Sequence, residues 1–238
     1  MNIVLLPASA FCIEKKTAII NDGAQLEHIS KVLSAKIGDE LKIAMLGGRL
    51  GTGTITELGE RCVLGDVELK ISPPPKLDLT VVLALVRPKV LRRLVLDMTA
   101  MGVAHIILIN SCRTDKSYWQ SPLLGRLDEF VAEGLQQGVD TIAPTISFAK
   151  RFKPFVQDVL PALIANKKAV VAHPYANQSF AQVCQDGLPA LVVIGAEGGF
   201  VPYEIDLLQS VGVQTATLGA RILRTESAVN AIVGRWLG

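Results

Sequence analysis

Long apolar runs are missing from this 238-residue chain, although half of its residues are hydrophobic. The longest, such as the stretch from Leu79 to Val86, are bounded by charge or proline. They fall well short of the roughly 20 residues a helical membrane span needs, so no segment is expected to cross a bilayer. The opening MNIVLLPASAF has no basic flank before its apolar residues and reads as a first strand rather than a signal peptide. Clustered cysteine is missing too. Cys12, Cys62, Cys112 and Cys184 are scattered and the three histidines lie far apart, which argues against a zinc site, a disulfide framework or a metal-hydrolase constellation. Reduced thiols in a cytoplasmic, metal-free protein are expected. A strong charge of one sign is also absent: 24 basic residues face 22 acidic ones, net +2. Residues 1–71 carry 8 basic and 9 acidic side chains, leaving 16 and 13 for residues 72–238. Any nucleic-acid surface must therefore come from local clusters. Aromatics make up only 5% of the chain, so the adjacent pair Tyr118 and Trp119 stands out.

What is present falls into two parts. Residues 1–71 read as a small β-rich domain. Ile3 to Leu6, Thr17 to Ile20, Leu41 to Leu46, Gly51 to Thr56 and Cys62 to Leu69 are strand-like, and Leu26, Ile29, Val32 and Leu33 fall at helical spacing. Residues 72–76, Ser72-Pro73-Pro74-Pro75-Lys76, form a linker, because consecutive prolines cannot sit inside a sheet. From 77 to 238 strands and helices alternate, which argues for an α/β domain with a parallel sheet. Strands are expected at Leu79 to Val86, Ile106 to Ile109, Thr145 to Phe148, Ala169 to Ala172, Ala190 to Ile194 and Thr215 to Leu218. Helices are expected from Lys89 to Met101, Pro122 to Gln137, Lys153 to Ala165 with an interruption at Pro161, and Ser179 to Gln185.

The stretch from Leu191 to Ser227 holds two strand-to-glycine-loop-to-helix units. The loop Gly195-Ala196-Glu197-Gly198-Gly199 lets backbone N–H groups approach a ligand, and Pro202 suits the first turn of the helix after it. Glu204 and Asp206 sit where that helix's dipole favours negative charge, and Leu207, Leu208 and Val211 give it an apolar face. After the second strand, Gly219 opens ARILRTES and a last helix, with Thr225 or Ser227 available as its cap. Open α/β sheets bind ligands at the carboxyl ends of parallel strands, where both loops fall. A lone glycine there would mean only a tight turn; three glycines around a glutamate, followed by Arg221, Arg224 and Glu226, point to a site. Neither GxGxxG nor a P-loop is present.

IGAEGGF and LGARILRTES closely resemble the IGPEGG and LGxRILRTET motifs of the bacterial 16S ribosomal RNA uridine methyltransferases that modify ring nitrogen 3, members of the SPOUT superfamily. HISKVLSAKIGDELKI resembles the HLxxVLR…GD pattern of the same family, and His173-Pro174 its LHP motif. The resemblance implies a C-terminal SPOUT-type parallel sheet with a trefoil knot, preceded by a PUA-like or OB-like β-barrel that grips RNA. It also implies a homodimer, S-adenosyl-L-methionine as cofactor and small-subunit ribosomal RNA as substrate. Three loops would hold the cofactor: Ala172, His173 and Pro174; Ile194, Gly195, Ala196, Glu197, Gly198 and Gly199; and Leu218, Gly219, Ile222, Leu223, Arg224 and Thr225.

Uridine's imide is a poor nucleophile until its proton leaves, so the site needs a proton acceptor or a positive charge. Arg224 is the candidate for the charge and Glu226 a second catalytic candidate. Lys31, Lys36, Arg87, Arg113, Lys116, Tyr118, Trp119 and Arg221 are candidate RNA contacts, the aromatics by stacking on an unpaired base. The apolar last helix, with Ala228, Val229, Ile232 and Val233, is expected to need a partner surface. The family's KxxELGV and EQxGR segments are altered at Asp97, Ala100, Leu135 and Val139, positions read as facing the substrate. Those changes keep a second reading open, a non-catalytic RNA- or ribosome-binding relative that retains the fold.

Overall fold

The computed structural model describes residues 2–237. The chain divides after Pro75, at the end of the proline run, into two compact units, and residues 132–143 group with the first.

In the first unit, β1 (Val4–Leu6), β2 (Phe11–Cys12), β3 (Thr17–Ile20), β4 (Glu40–Met45), β5 (Leu50–Leu58) and β6 (Cys62–Ile71) build one six-stranded mixed sheet in the order β1-β4-β5-β6-β3-β2. β1 runs parallel to β4 and the other pairs are antiparallel. Among the described residues no pairing joins β1 to β2, so the barrel that the resemblance implied takes the form of an open half-barrel. Leu6, Ile20, Ile43, Ile55 and Leu64 form its core with Ile29 from the helical segment. That segment is not one regular helix. α1 (Gly23–Glu27), capped by Asp22, widens into a π-turn over His28–Val32, where Leu33 N–H donates to His28 C=O at 2.9 Å. The wider turn shifts the helical phase, so Ile29 is buried while Val32 and Leu33 are exposed. Gly51 sits at a register shift between β5 and β6, where a β-carbon would lie 1.7 Å from the Glu68 carbonyl oxygen. Thr141 ties the returning segment to this unit, donating from Oγ1 to Gly48 C=O at 2.6 Å.

The second unit contains β7 (Leu77–Ala84), α2 (Pro88–Ala100), β8 (Val103–Ile109), the start of α3 (Leu127–Gly138) and β9 (Thr145–Ala149). Then follow α4 (Phe152–Pro154), α5 (Leu160–Leu163), β10 (Ala169–Ala172), α6 (Phe180–Val183), β11 (Leu191–Ile194), α7 (Pro202–Ser210), β12 (Gln214–Ala216) and α8 (Thr225–Val233). Its six strands are all parallel, in the order β12-β10-β11-β7-β8-β9. The run Val81–Val86 is fully buried, as a strand covered on both faces requires. The helix expected from Lys153 to Ala165 is α4, a π-turn (Phe155–Val159) and α5. Pro161 lies in the first turn of α5, where its missing N–H breaks no helical bond.

Three local expectations change. β12 ends at Ala216 rather than Leu218, because Thr217 leaves the ladder for a single bridge to Ser179 and its Oγ1 bonds the Gly219 backbone. The N-cap of α8 is Arg224, without a side-chain cap, rather than Thr225 or Ser227. Ala228, Val229, Ile232 and Val233 are buried within the unit, where α8 packs on α2 and β11, so this face needs no second copy to cover it.

Candidate functional site

The strand order doubles back at β7: β8 and β9 extend the sheet one way, β10, β11 and β12 the other. A crevice opens where order reverses in such sheets. On one side of that reversal the segments after β10, β11 and β12 surround a cavity of about 270 Å³. Ala172, His173 and Pro174 contribute one wall, Ile194 to Gly199 a second, and Leu218, Ile222, Leu223 and Thr225 a third. Arg113 and Arg221, read from sequence as RNA contacts, also line it. So do Tyr175, Phe200, Thr217 and Ala228, which were not among the expected lining residues; Tyr175 directly follows His173-Pro174, and Phe200 is the last residue of IGAEGGF.

The glycine loop is shaped by its own packing. A β-carbon on Gly195 would sit 2.9 Å from Gly199 Cα, and one on Gly198 would sit 3.0 Å from the Arg113 stem. Gly199 has φ +67°, in the left-handed region. Long-range hydrogen bonds then hold the loop. Arg87 N–H donates to the Glu197 carboxylate at 3.1 Å, with the Arg87 guanidinium 3.9 Å away. Arg113 donates to Gly198 C=O, and Thr225 Oγ1 to Gly195 C=O at 3.3 Å. Glu197 is thereby committed to positioning the loop.

Glu204 departs furthest from its sequence reading. It is 3% exposed, on the same buried face of α7 as Ile205 and Leu208. Its two carboxylate oxygens accept from Val201 N–H at 2.9 Å and Cys112 N–H at 2.7 Å. One carboxylate thus joins the end of the glycine loop to the segment carrying Arg113. Burial also holds the His173 imidazole below its ordinary pKa, which keeps it neutral beside the cavity.

Other candidates lie elsewhere. Arg224 and Gly219 are not in the cavity lining. Arg224 is exposed, and among the described residues its guanidinium makes no hydrogen bond or ion pair. Glu226 is paired with Arg93 at 2.7 Å rather than with Arg224. Lys116 opens a 3₁₀ turn (Lys116–Gln120) that contains half-buried Tyr118 and Trp119. In the first unit Lys31 pairs with Glu27 at 2.9 Å, and Lys36 is exposed. Among the described residues no group of three or more His, Cys, Asp or Glu could hold a metal, and no helix is long and apolar enough to cross a membrane.

A model of the RNA methyltransferase domain matches residues 73–237, the second unit almost entirely. The chain belongs to this RNA methyltransferase family. Among relatives, it is 25% identical over 234 residues to ribosomal RNA small subunit methyltransferase E 1 of Borreliella burgdorferi, covering 97% of this chain and 95% of that one. It is 28% identical over 212 residues to ribosomal RNA small subunit methyltransferase E of Synechocystis, covering 86% and 68%. Its fold is shared with a ribosomal RNA small subunit methyltransferase E from Neisseria gonorrhoeae bound to S-adenosyl methionine, with TM-score 0.73, 18% identity and coverage of 98% and 96%. It is shared as well with a methyltransferase of Legionella pneumophila in complex with the same cofactor, with TM-score 0.75, 17% identity and coverage of 99% and 96%.

The departures from the family's motifs each have a local structural setting. Leu135 is fully buried, and Asp97 accepts from Asn230 Nδ2 at 3.4 Å, linking α2 to α8. Val139 takes φ +55° at the end of α3, where the buried carboxylate of Asp140 accepts from the N–H groups of Thr141 and Ile142 at 2.6 and 3.0 Å. Ala100 ends α2 half-buried. These residues support the structure around them.

Proposed function

We propose that this protein transfers a methyl group from S-adenosylmethionine to ring nitrogen 3 of a uridine in small-subunit ribosomal RNA, acting as a cytoplasmic homodimer. The observation that carries the reading is the convergence of three strand-end segments on one cavity. The names of its relatives and the cofactor-bound state of two proteins sharing its fold support it.

The cavity's chemistry suits the cofactor. Ile194, Leu218, Leu223 and Ala228 give an apolar wall for a flat heterocycle. Among the described residues, the N–H groups of Ile222 and Leu223 donate to no protein acceptor, which leaves them free for ring nitrogens. When bound, the cofactor supplies an activated methyl group without a metal. The protein's part is to align the uridine nitrogen behind that methyl and exclude water. A neutral His173 adds no charge to a cavity that would hold a cationic cofactor. Arg224, with no competing partner, stabilises the uridine anion left when the imide proton passes to bulk solvent. Glu226, engaged by Arg93, orients the start of α8 rather than acting as a base.

In this reading residues 1–71 form the PUA-like RNA-binding domain, 72–76 the linker and 77–238 the catalytic domain, whose segments around β10 and β12 make the trefoil knot. Lys31, Lys36, Arg87, Arg113, Lys116, Tyr118, Trp119 and Arg221 contact the RNA. The test is methyl transfer to small ribosomal subunits from a strain lacking the gene, with mass mapping of modified nucleosides. A 3-methyluridine restored by the wild-type protein is the expected result. Cofactor binding without methylation of any ribosomal RNA would refute catalysis.

A further inference from the structure

A second feature lies at the same, carboxyl end of the sheet, on its far edge. Among the described residues β9 is an edge strand that pairs only with β8, and Phe148 on it is 48% exposed. Trp119 packs edge-on to Phe148, with ring centroids 6.3 Å apart at 65°. The indole is fixed by its Nε1–H, which donates to Asn110 Oδ1 at 2.9 Å, and the Lys150 ammonium lies 5.9 Å over its ring. In a chain this poor in aromatics, an exposed phenyl ring backed by a half-buried indole that a hydrogen bond holds in place is a specific feature.

Charge surrounds it. Lys150, Arg151 and Lys153 follow β9 directly and are exposed, as is Lys116. Residues 144–157 hold no acidic side chain. The nearby acid, Asp115, is turned onto its own turn, accepting from Ser117 N–H at 2.9 Å, which holds its carboxyl below the usual range. The strip is also mechanically joined to the cavity. Phe152, between Arg151 and Lys153, packs on Phe200 of the cavity lining at 5.9 Å between centroids, and Arg113 of the adjoining segment holds Gly198.

We propose that the carboxyl end of β9, with Trp119, Phe148, Lys116, Lys150, Arg151 and Lys153, is a track for single-stranded RNA that leads to the methyl-transfer cavity. Phe148 and Trp119 stack an unpaired base while the cations follow the phosphates. Exposed aromatics interleaved with cations bind a strand in this way, through sequence-tolerant stacking and salt-dependent phosphate contacts. The three cations that directly follow this edge strand blunt its end against pairing with another strand, which disfavours a second copy here. The inference rests on the proposed RNA substrate and adds where the strand runs.

The test uses the full-length protein and a fluorescently labelled single-stranded RNA of about 12 nucleotides containing uridines, titrated at several salt concentrations. The combined variant Lys150→Ala, Arg151→Ala, Lys153→Ala should weaken binding and flatten the slope of log affinity against log salt by about 2, given about 0.7 per released phosphate contact. Phe148→Ser should weaken binding about tenfold with no change of slope, as loss of one stacked base requires. Both sites are exposed and both variants should bind S-adenosylmethionine like the wild type. Wild-type RNA affinity in both variants would overturn the track while leaving the cofactor reading intact. A wild-type protein that binds no S-adenosylmethionine would instead refute the proposed function. If Phe148→Ser changed the sedimentation mass and not RNA affinity, the edge would be a protein interface and the track would be wrong.

Discussion

Replacing Glu204 tests whether the cavity is organised by long-range backbone latches or by the glycine loop alone. Glu204 is 3% exposed and its two oxygens take one backbone N–H each, from Val201 and Cys112. Glu204→Ala strands both donors. A donor left unsatisfied costs about 1–3 kcal/mol when buried, and both donors here are part-buried, so the low end applies to each and the pair should cost about 2 kcal/mol. At about 2–4 °C per kcal/mol for a domain of this size, the melting transition should fall by roughly 6 °C. Glu204→Gln keeps one acceptor oxygen and turns an NH₂ group toward the other donor, so it should fall about half as far. Thermal unfolding by circular dichroism reads both. The same variants should lose S-adenosylmethionine affinity by calorimetry, since Cys112 N–H sits one residue before the Arg113 that holds Gly198. A Glu204→Ala protein melting within about 2 °C of wild type would refute the latch.

Arg224→Ala should lower single-turnover methyl transfer by about a hundredfold or more with cofactor affinity unchanged. Its melting temperature should match wild type, because the exposed guanidinium has no partner to lose among the described residues; a wild-type rate would remove Arg224 from the mechanism. His173 titrates below the ordinary imidazole value because it is partly buried. As pH falls through about 6.5, the unfolded chain takes up a proton that the folded chain refuses, so stability should drop. His173→Gln should flatten that drop in denaturant melts between about pH 5 and 7, and an unchanged slope would assign the acid sensitivity to other groups. Val139→Gly should raise stability by about 1 kcal/mol, since a β-branched residue at φ +55° is strained and glycine is not; a lower melting temperature would show that its side chain contributes more than the strain costs.

Much of the second unit was legible in the sequence because it is written in local patterns. Val81–Val86 reads as a buried strand, Val90 to Met98 as a helix face, and GAEGG as a turn at a strand end. The RNA methyltransferase motifs lie in the loops that the sheet brings together. Irregular geometry was not legible. The π-turns at His28–Val32 and Phe155–Val159 depend on how a helix meets its neighbours, and they broke two runs that period alone continued.

The sequence by itself determined which segments of the second unit become strands, which loops carry glycine and which family the motifs resemble, because each of these lies within a few consecutive residues. Only the tertiary structure decided what each carboxylate does. Glu197 meets Arg87 from 110 residues away, Glu226 meets Arg93 from 133 and Glu204 meets Cys112 from 92. A charged side chain's role follows from the partner that desolvation forces it to find, and that partner is chosen by strand order, which no local period encodes.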